Sequence, residues 1–144
     1  MRPIHILLVD DDDLAILNVQ GAIKRAGFEA TVTAVSGGVE ALALLRGGTL
    51  DHDRMVVLTD LHMPGLSGLD LLSAIRTDPA LADLPVVILT ASTLAAHRKS
   101  AFDLHAAGYF VKPDGPSRHR EVIQALYSYW ASSEFGRDGA RDGG

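Results

Sequence analysis

Four aspartates stand in a row at Asp10, Asp11, Asp12 and Asp13, directly after the apolar run Ile6–Val9, and a further aspartate, Asp60, closes the run Met55–Thr59. Thr90 and Lys112 end two more such runs, LPVVILT and GYFVK. Like charges about 4 Å apart repel by roughly 4 kcal/mol at an effective dielectric near 20, so a cluster of acids needs solvent, a helix N-terminus or a cation. Asp12 or Asp13 has a purely structural use, as the N-cap of a helix starting near Leu14, with neighbouring acids favoured by the helix dipole. Asp10 and Asp11, pinned to a strand end, suit a hard divalent cation such as Mg²⁺ or Mn²⁺. Mg²⁺ takes oxygen ligands octahedrally, usually one or two carboxylates with waters retained. Asp11 and Asp60 can then ligate directly and Asp10 through water. A carboxylate beside such a metal is also a nucleophile toward a phosphoryl group. The charge on the transferred group calls for metal, ammonium and hydrogen-bond donors, and Thr90 and Lys112 are groups of that kind.

These residues share a site only if the chain brings strand ends together. Ile4–Val9 reads as a strand, and Leu14–Ala26 as a helix with Ile16, Val19, Ile23 and Ala26 on one stripe, stopped by Gly27. EATVTAV is strand-like, and Ser36 caps a helix GGVEALALLR. After a polar, Gly-rich loop from Gly47 to Arg54 come a buried-type strand RMVVLTD, a turn HMPGLSG and a helix LDLLSAIR capped by Ser67. LPVVILT, a helix over about Leu94–Ala107, the short strand GYFVK and a final helix SRHREVIQALYSYWAS complete the alternation. Such a β-α repeat predicts an α/β fold, a parallel sheet with helices on both faces. Ligands bind outside the carboxyl ends of its strands, which gathers Asp10, Asp11, Asp60, Thr90 and Lys112 at one edge. Gly65 and Gly68 serve turn geometry.

At 144 residues, 47% of them hydrophobic and 22% charged, the chain suits one globular domain. Its net charge of -5 argues against nucleic acid as a partner. No cysteine is present, which excludes disulfides, thiolate metal sites and cysteine nucleophiles. No apolar run approaches the ~18 residues of a membrane span, and the first is too short for a signal peptide, so a cytoplasmic location is expected.

The motifs VDDD, LTDLHMPGLSGLDLL, LPVVILTAS and AAGYFVKP, in this order, resemble the receiver domain of two-component response regulators. The resemblance spans residues 1–133, with 134–144 as a disordered tail. It implies a flavodoxin-like, doubly wound five-stranded parallel sheet of order 2-1-3-4-5 with five helices. It also implies Asp60 as phosphoacceptor, Asp10 and Asp11 as the acidic pair around Mg²⁺, Thr90 as switch hydroxyl and Lys112 as the phosphate-pairing lysine. His62 would offer its backbone carbonyl to the metal, Tyr109 occupies the aromatic switch position, and Lys112–Pro113 would be a cis peptide. Asp114, where an apolar or aromatic residue is usual, and the following GPSR depart from the family and imply an altered loop before the last helix.

Two rival classes fit less well. A haloacid-dehalogenase-like phosphohydrolase also places a DxD after its first strand, but it needs a later acidic pair that is missing behind any strand after Lys112, and it leaves Asp60 unused. A flavin-binding module would need a Ser/Thr/Gly phosphate cradle where this chain is acidic. With its end soon after Trp130, the chain is expected to be a single-domain regulator that acts by protein contact or by passing the phosphoryl group on, with no enzymatic activity beyond accepting and slowly losing its own phosphoryl group. The long second loop and the ending ALYSYW resemble regulators that partner phytochrome-type histidine kinases. In the last helix, Val122, Ala125, Leu126 and Tyr129 form one apolar stripe and Ile123, Tyr127 and Trp130 another. A helix on a sheet buries one, so the surplus predicts a homodimer through that helix.

Overall fold

The computed structural model describes residues 3–27, 29–113 and 116–132. The departure at Asp114 and the 134–144 tail lie outside them. Five strands and five helices alternate: β1 (Ile4–Val9), α1 (Asp13–Ala26), β2 (Ala30–Val35), α2 (Gly38–Arg46), β3 (Met55–Thr59), α3 (Gly68–Thr77), β4 (Val86–Thr90), α4 (Ala95–Asp103), β5 (Gly108–Val111) and α5 (Pro116–Ser132). All strand pairs are parallel, in the order β2-β1-β3-β4-β5.

Strand alternation sends side chains to two cores. Leu7, Val9, Val57 and Ile88 pack with Ala41, Leu45, Leu71, Leu72, Ile75 and Ala101 from α2, α3 and α4. On the other face Ile6, Leu8, Leu58 and Leu89 pack with Val19, Ala22 and Ile23 of α1 and Ile123 and Leu126 of α5. β3 and β4 are buried along their whole length, whereas the marginal strands β2 and β5 are only partly so. That is the burial expected of an open sheet covered on both faces.

Local chemistry sets the helix ends. Asp12 is the N-cap of α1, its carboxylate accepting from Leu14 N, and Gly27 ends the helix in the left-handed region at φ 71°. Ser67 caps α3 in a reciprocal box with Asp70. At α2 the expected cap shifts by one residue. Gly37 is the N-cap, and the Ser36 hydroxyl instead donates to Glu40 Oε1 at 2.9 Å. α4 stops at Asp103, short of Ala107, because His105 turns into the left-handed region at φ 63°. The Arg76 guanidinium holds that turn. It donates to the His105 carbonyl through Nε and Nη2 (3.2 and 2.8 Å), and through Nη1 to the carbonyls of Ala82 and Leu84 (3.1 and 2.6 Å).

In α5 the two stripes merge into one core-facing band. Ile123 and Leu126 are buried, and Val122, Tyr127 and Trp130 pack half-buried against the same cluster. Tyr127 and Trp130 are therefore not surplus surface, since positions 123, 126, 127 and 130 share one helical face. Among the described residues no helix is long and apolar enough to cross a membrane.

Candidate functional site

Asp10, Asp60 and Lys112 each sit one residue past a strand, and Thr90 is the last residue of β4. The amide of Asp10 donates to the Val35 carbonyl (3.1 Å), that of Asp60 to Val9 (3.0 Å) and that of Lys112 to Thr90 (2.7 Å). The ladders of neighbouring strands thus run on to the carboxyl edge and bring the side chains together there. Asp10, Asp11 and Asp60 each offer an oxygen, and these atoms lie within 4.8 Å of one another. Lys112 Nζ stands 2.8 Å from Asp10 Oδ2 and 3.2 Å from Asp60 Oδ2.

The aspartate run divides its labour. Asp10 is buried, and its Oδ1 accepts from the Asp12 amide at 2.9 Å; Asp11 is exposed; Asp12 caps α1; Asp13 lies in the helix's first turn. Asp60 is 9% exposed and its Oδ1 accepts from the Leu61 amide at 2.7 Å, which fixes the carboxylate plane. Burial pushes the Asp10 carboxyl above the usual aspartate range and the Asp60 charge adds to this, outweighing the bond to Lys112. For Lys112, burial alone would lower the pKa, but the bond and charge of Asp10, followed by those of Asp60, hold it above the ordinary lysine value. Three carboxylates against one ammonium leave the pocket short of positive charge. Oxygen-only donors at this spacing fit a hard divalent cation.

Further groups support the acceptor. Buried Thr59 donates its hydroxyl to the Asp60 carbonyl at 2.9 Å. Gly68 donates its amide to the Leu61 carbonyl at 2.9 Å, and a Cβ there would lie 2.0 Å from the Asp60 carbonyl oxygen. Gly65 meets its expectation as a turn glycine, with φ 77°, but Gly68 has no left-handed φ and is required for close backbone approach.

Thr90 is fully buried, and its Oγ1 accepts from the Ser92 amide at a long 3.4 Å. Half-buried Tyr109 donates its hydroxyl to the Ser92 carbonyl at 3.0 Å. His62 has an exposed side chain, and its ring meets that of His97. The Lys112–Pro113 peptide is trans, contrary to expectation, as no cis bond occurs among the described residues. Trans is the isomer favoured by about 0.5–1 kcal/mol before proline. Ser92 and His97 were illegible in the sequence because neither sits at a strand end or in a spaced pair, although Ser92 follows Thr90 by two.

An acidic pocket and a lysine at the carboxyl edge of a 2-1-3-4-5 parallel sheet define a CheY-type α/β domain. The chain belongs to the response regulator receiver domain family, which it matches over residues 6–124. It is 34% identical over 126 residues to chemotaxis protein CheY-3 of Vibrio cholerae, covering 88% of this chain and 93% of that protein. Among solved structures it is similar to the phosphorylated cyanobacterial phytochrome response regulator RcpA (29% identity, TM-score 0.82, covering 90% of this chain and 95% of that one). It also resembles the Mn²⁺-bound form of response regulator Rcp1 (26% identity, TM-score 0.79, covering 91% and 96%). Receiver domains are signalling proteins and not enzymes in the ordinary sense, and this membership sets the phosphohydrolase and flavin alternatives aside.

Proposed function

We propose that this chain accepts a phosphoryl group on Asp60 from a sensor histidine kinase or phosphotransfer protein and signals by changing a protein-contact surface. The observation that carries the reading is the clamp of Lys112 between Asp10 and Asp60 beside exposed Asp11. In the reaction a carboxylate oxygen of Asp60 attacks phosphorus, the P–N bond to the kinase imidazole breaks, and that imidazole leaves. Asp10, Asp11, Asp60 and the backbone carbonyl of His62 would hold Mg²⁺ or Mn²⁺, which supplies charge neutralisation for the incoming phosphoryl oxygens. Lys112 pairs with one of those oxygens, and Thr90 donates to another. Thr90 and Tyr109 then act as the switch, since both are already bonded to Ser92.

The resemblance to RcpA supports a phytochrome-type kinase as the donor. Leu14 and Val39, 64% and 68% exposed at the starts of α1 and α2 on the same edge, suit contact with such a partner. The reading takes residues 1–133 as the receiver and places it in the cytoplasm. A homodimer through α5 and its neighbours β5 and α4 belongs to the same proposal, supported by exposed Val111 and Phe102 on those neighbours. A light-scattering mass of one chain at micromolar concentration, with and without phosphorylation, would rule the dimer out.

Intact-mass measurement tests the acceptor. With Mg²⁺ and acetyl phosphate the wild type gains one acid-labile phosphoryl group, and Asp60→Asn gains none because an amide is not a nucleophile. Equal labelling of both would overturn the assignment.

A further inference from the structure

Ser92 sends polar atoms in several directions. Its amide donates to Thr90 Oγ1, its carbonyl accepts from Tyr109 Oη, and its hydroxyl is hydrogen-bonded to His97 Nδ1 while also accepting from the Leu94 amide at 3.3 Å. His97 in turn lays its ring edge-to-face against His62, with centroids 5.1 Å apart and planes at 65°. His62 follows Asp60 by two residues on the β3–α3 loop. A continuous path therefore runs from the buried switch hydroxyl through the β4–α4 loop and the first turn of α4 to the loop beside the acceptor.

The helix on this path is thinly anchored. Of Ala95–Asp103 only Ala101 is buried, and the N-cap, Leu94, makes no side-chain cap bond. Leu94 is 60% exposed and Phe102 47%. With so little apolar burial, a few polar contacts carry a large share of what holds α4 in place.

We propose that Ser92 and His97 form a tie that holds α4 in its unphosphorylated position and is released when Asp60 is phosphorylated. The inference rests on the reading of Asp60 as acceptor. At 3.4 Å the Ser92–Thr90 bond is at the weak limit of hydrogen bonding, so drawing Thr90 Oγ1 toward a phosphoryl oxygen breaks it and frees Ser92 to move. As Ser92 moves, its hydroxyl parts from His97 Nδ1, and the first turn of α4 is released from the β4–α4 loop. Whatever holds α4 in the unphosphorylated position opposes phosphoryl binding by the same free energy. Loss of one such hydrogen bond corresponds to about a fivefold change in occupancy.

The two contacts of His97 can be separated in the full chain. His97→Phe keeps an aromatic edge for His62 and removes the partner of Ser92 Oγ. His97→Asn keeps a hydrogen-bonding atom near the Nδ1 position and removes the ring. Ser92→Ala breaks the tie from the other end. Binding of beryllofluoride with Mg²⁺, as a stable stand-in for the phosphoryl group, is followed by fluorine NMR, and α4 by its amide signals. The half-saturating concentration is expected to fall about fivefold in His97→Phe and Ser92→Ala and less in His97→Asn. In the free His97→Phe protein, the amide signals of residues 95–100 are expected to lie displaced toward their beryllofluoride-bound positions. Wild-type half-saturation and wild-type α4 signals in both His97→Phe and Ser92→Ala would overturn the tie, as would a weaker affinity. If Asp60→Asn bound beryllofluoride as well as the wild type, the acceptor reading would fail and the tie with it. Saturable, Asp60-dependent binding that is equal in wild type and tie variants fails the tie alone.

Discussion

Gly68→Ala adds one methyl group at the start of α3, where the new Cβ would stand 2.0 Å from the Asp60 carbonyl oxygen and 2.9 Å from Leu61 Cα. Both neighbours are backbone, so no side chain can swing aside, and the loop must move by an ångström or more. Overpacking of this kind costs about 1–3 kcal/mol, and losing the Gly68–Leu61 hydrogen bond costs about 1 kcal/mol. A gain in helix propensity of up to about 1 kcal/mol offsets part of this. The net loss of about 1–3 kcal/mol lowers the melting temperature by roughly 3–10 °C in a chain of this size. The functional loss is larger. A misplacement of about 1 Å can cost on the order of 100-fold in rate, so phosphoryl labelling by acetyl phosphate should slow at least tenfold. Gly21→Ala is the internal control. Its Cβ meets only the end of the Arg25 side chain, at 3.0 Å, so that variant should gain up to about 1 kcal/mol. Thermal melts and labelling time courses on both variants decide the matter. A Gly68→Ala protein that melts within a degree or two of wild type and labels at the wild-type rate refutes the close-approach argument.

Arg76→Lys keeps the charge but loses the fork that reaches three carbonyls, and should cost about 2–4 kcal/mol by urea denaturation; a loss below 1 kcal/mol would mean that the turn at His105 holds without it. Burial holds the His5 imidazole below its usual pKa, with the Asp51 charge opposing. The unfolded chain therefore takes up a proton below about pH 6.5 that the folded chain resists, so stability is full above that pH and declines as the pH falls toward the folded value. In His5→Gln, which can keep a bond to Thr33 Oγ1, that component of the decline should vanish, as read from urea midpoints at about pH 7.5 and about pH 5.5; parallel declines in the two proteins would dismiss it. Mg²⁺ at 100 times its dissociation constant should stabilise the wild type by about 2.7 kcal/mol, reversibly with a chelator, and Asp11→Asn by much less; equal stabilisation of the two would remove Asp11 from the metal site.

The strands were legible because a strand buried on both faces has to be largely apolar, and β1, β3 and β4 are, apart from half-buried His5 and the terminal threonines. Asp10, Asp60, Thr90 and Lys112 were legible for a related reason: a polar residue that interrupts such a run stands at the edge of a parallel sheet. What stayed hidden depends on backbone torsion or on contacts between distant segments. Nothing in Leu104–Ala107 announces that His105, which is not a glycine, will take a positive φ, so α4 reads too long. Gly68 looks like one more turn glycine until the Asp60 carbonyl is placed beside it. In α5, apolar residues on adjacent positions allow two stripes, and only the width of the surface offered by β1, β3 and α1 selects the band through Ile123, Leu126, Tyr127 and Trp130.

The pairing of α1 with α5 bears on how the chain is made. β1 leaves the ribosome ahead of the other four strands and ends up interior to the sheet, yet the face carrying Ile4, Ile6 and Leu8 is closed in part by Ile123 and Leu126, more than a hundred residues later. During synthesis the α2–α3–α4 side can assemble as its segments emerge, while the opposite side waits, greasy and half-covered by α1, for the last helix. Contacts of such long sequence separation are closed late and slowly, and the interval in which that surface lies open is the one in which a nascent chain is most prone to aggregate. The closing step of folding therefore belongs to α5, the same helix whose outer surface and neighbouring strand carry the proposed contacts with other molecules.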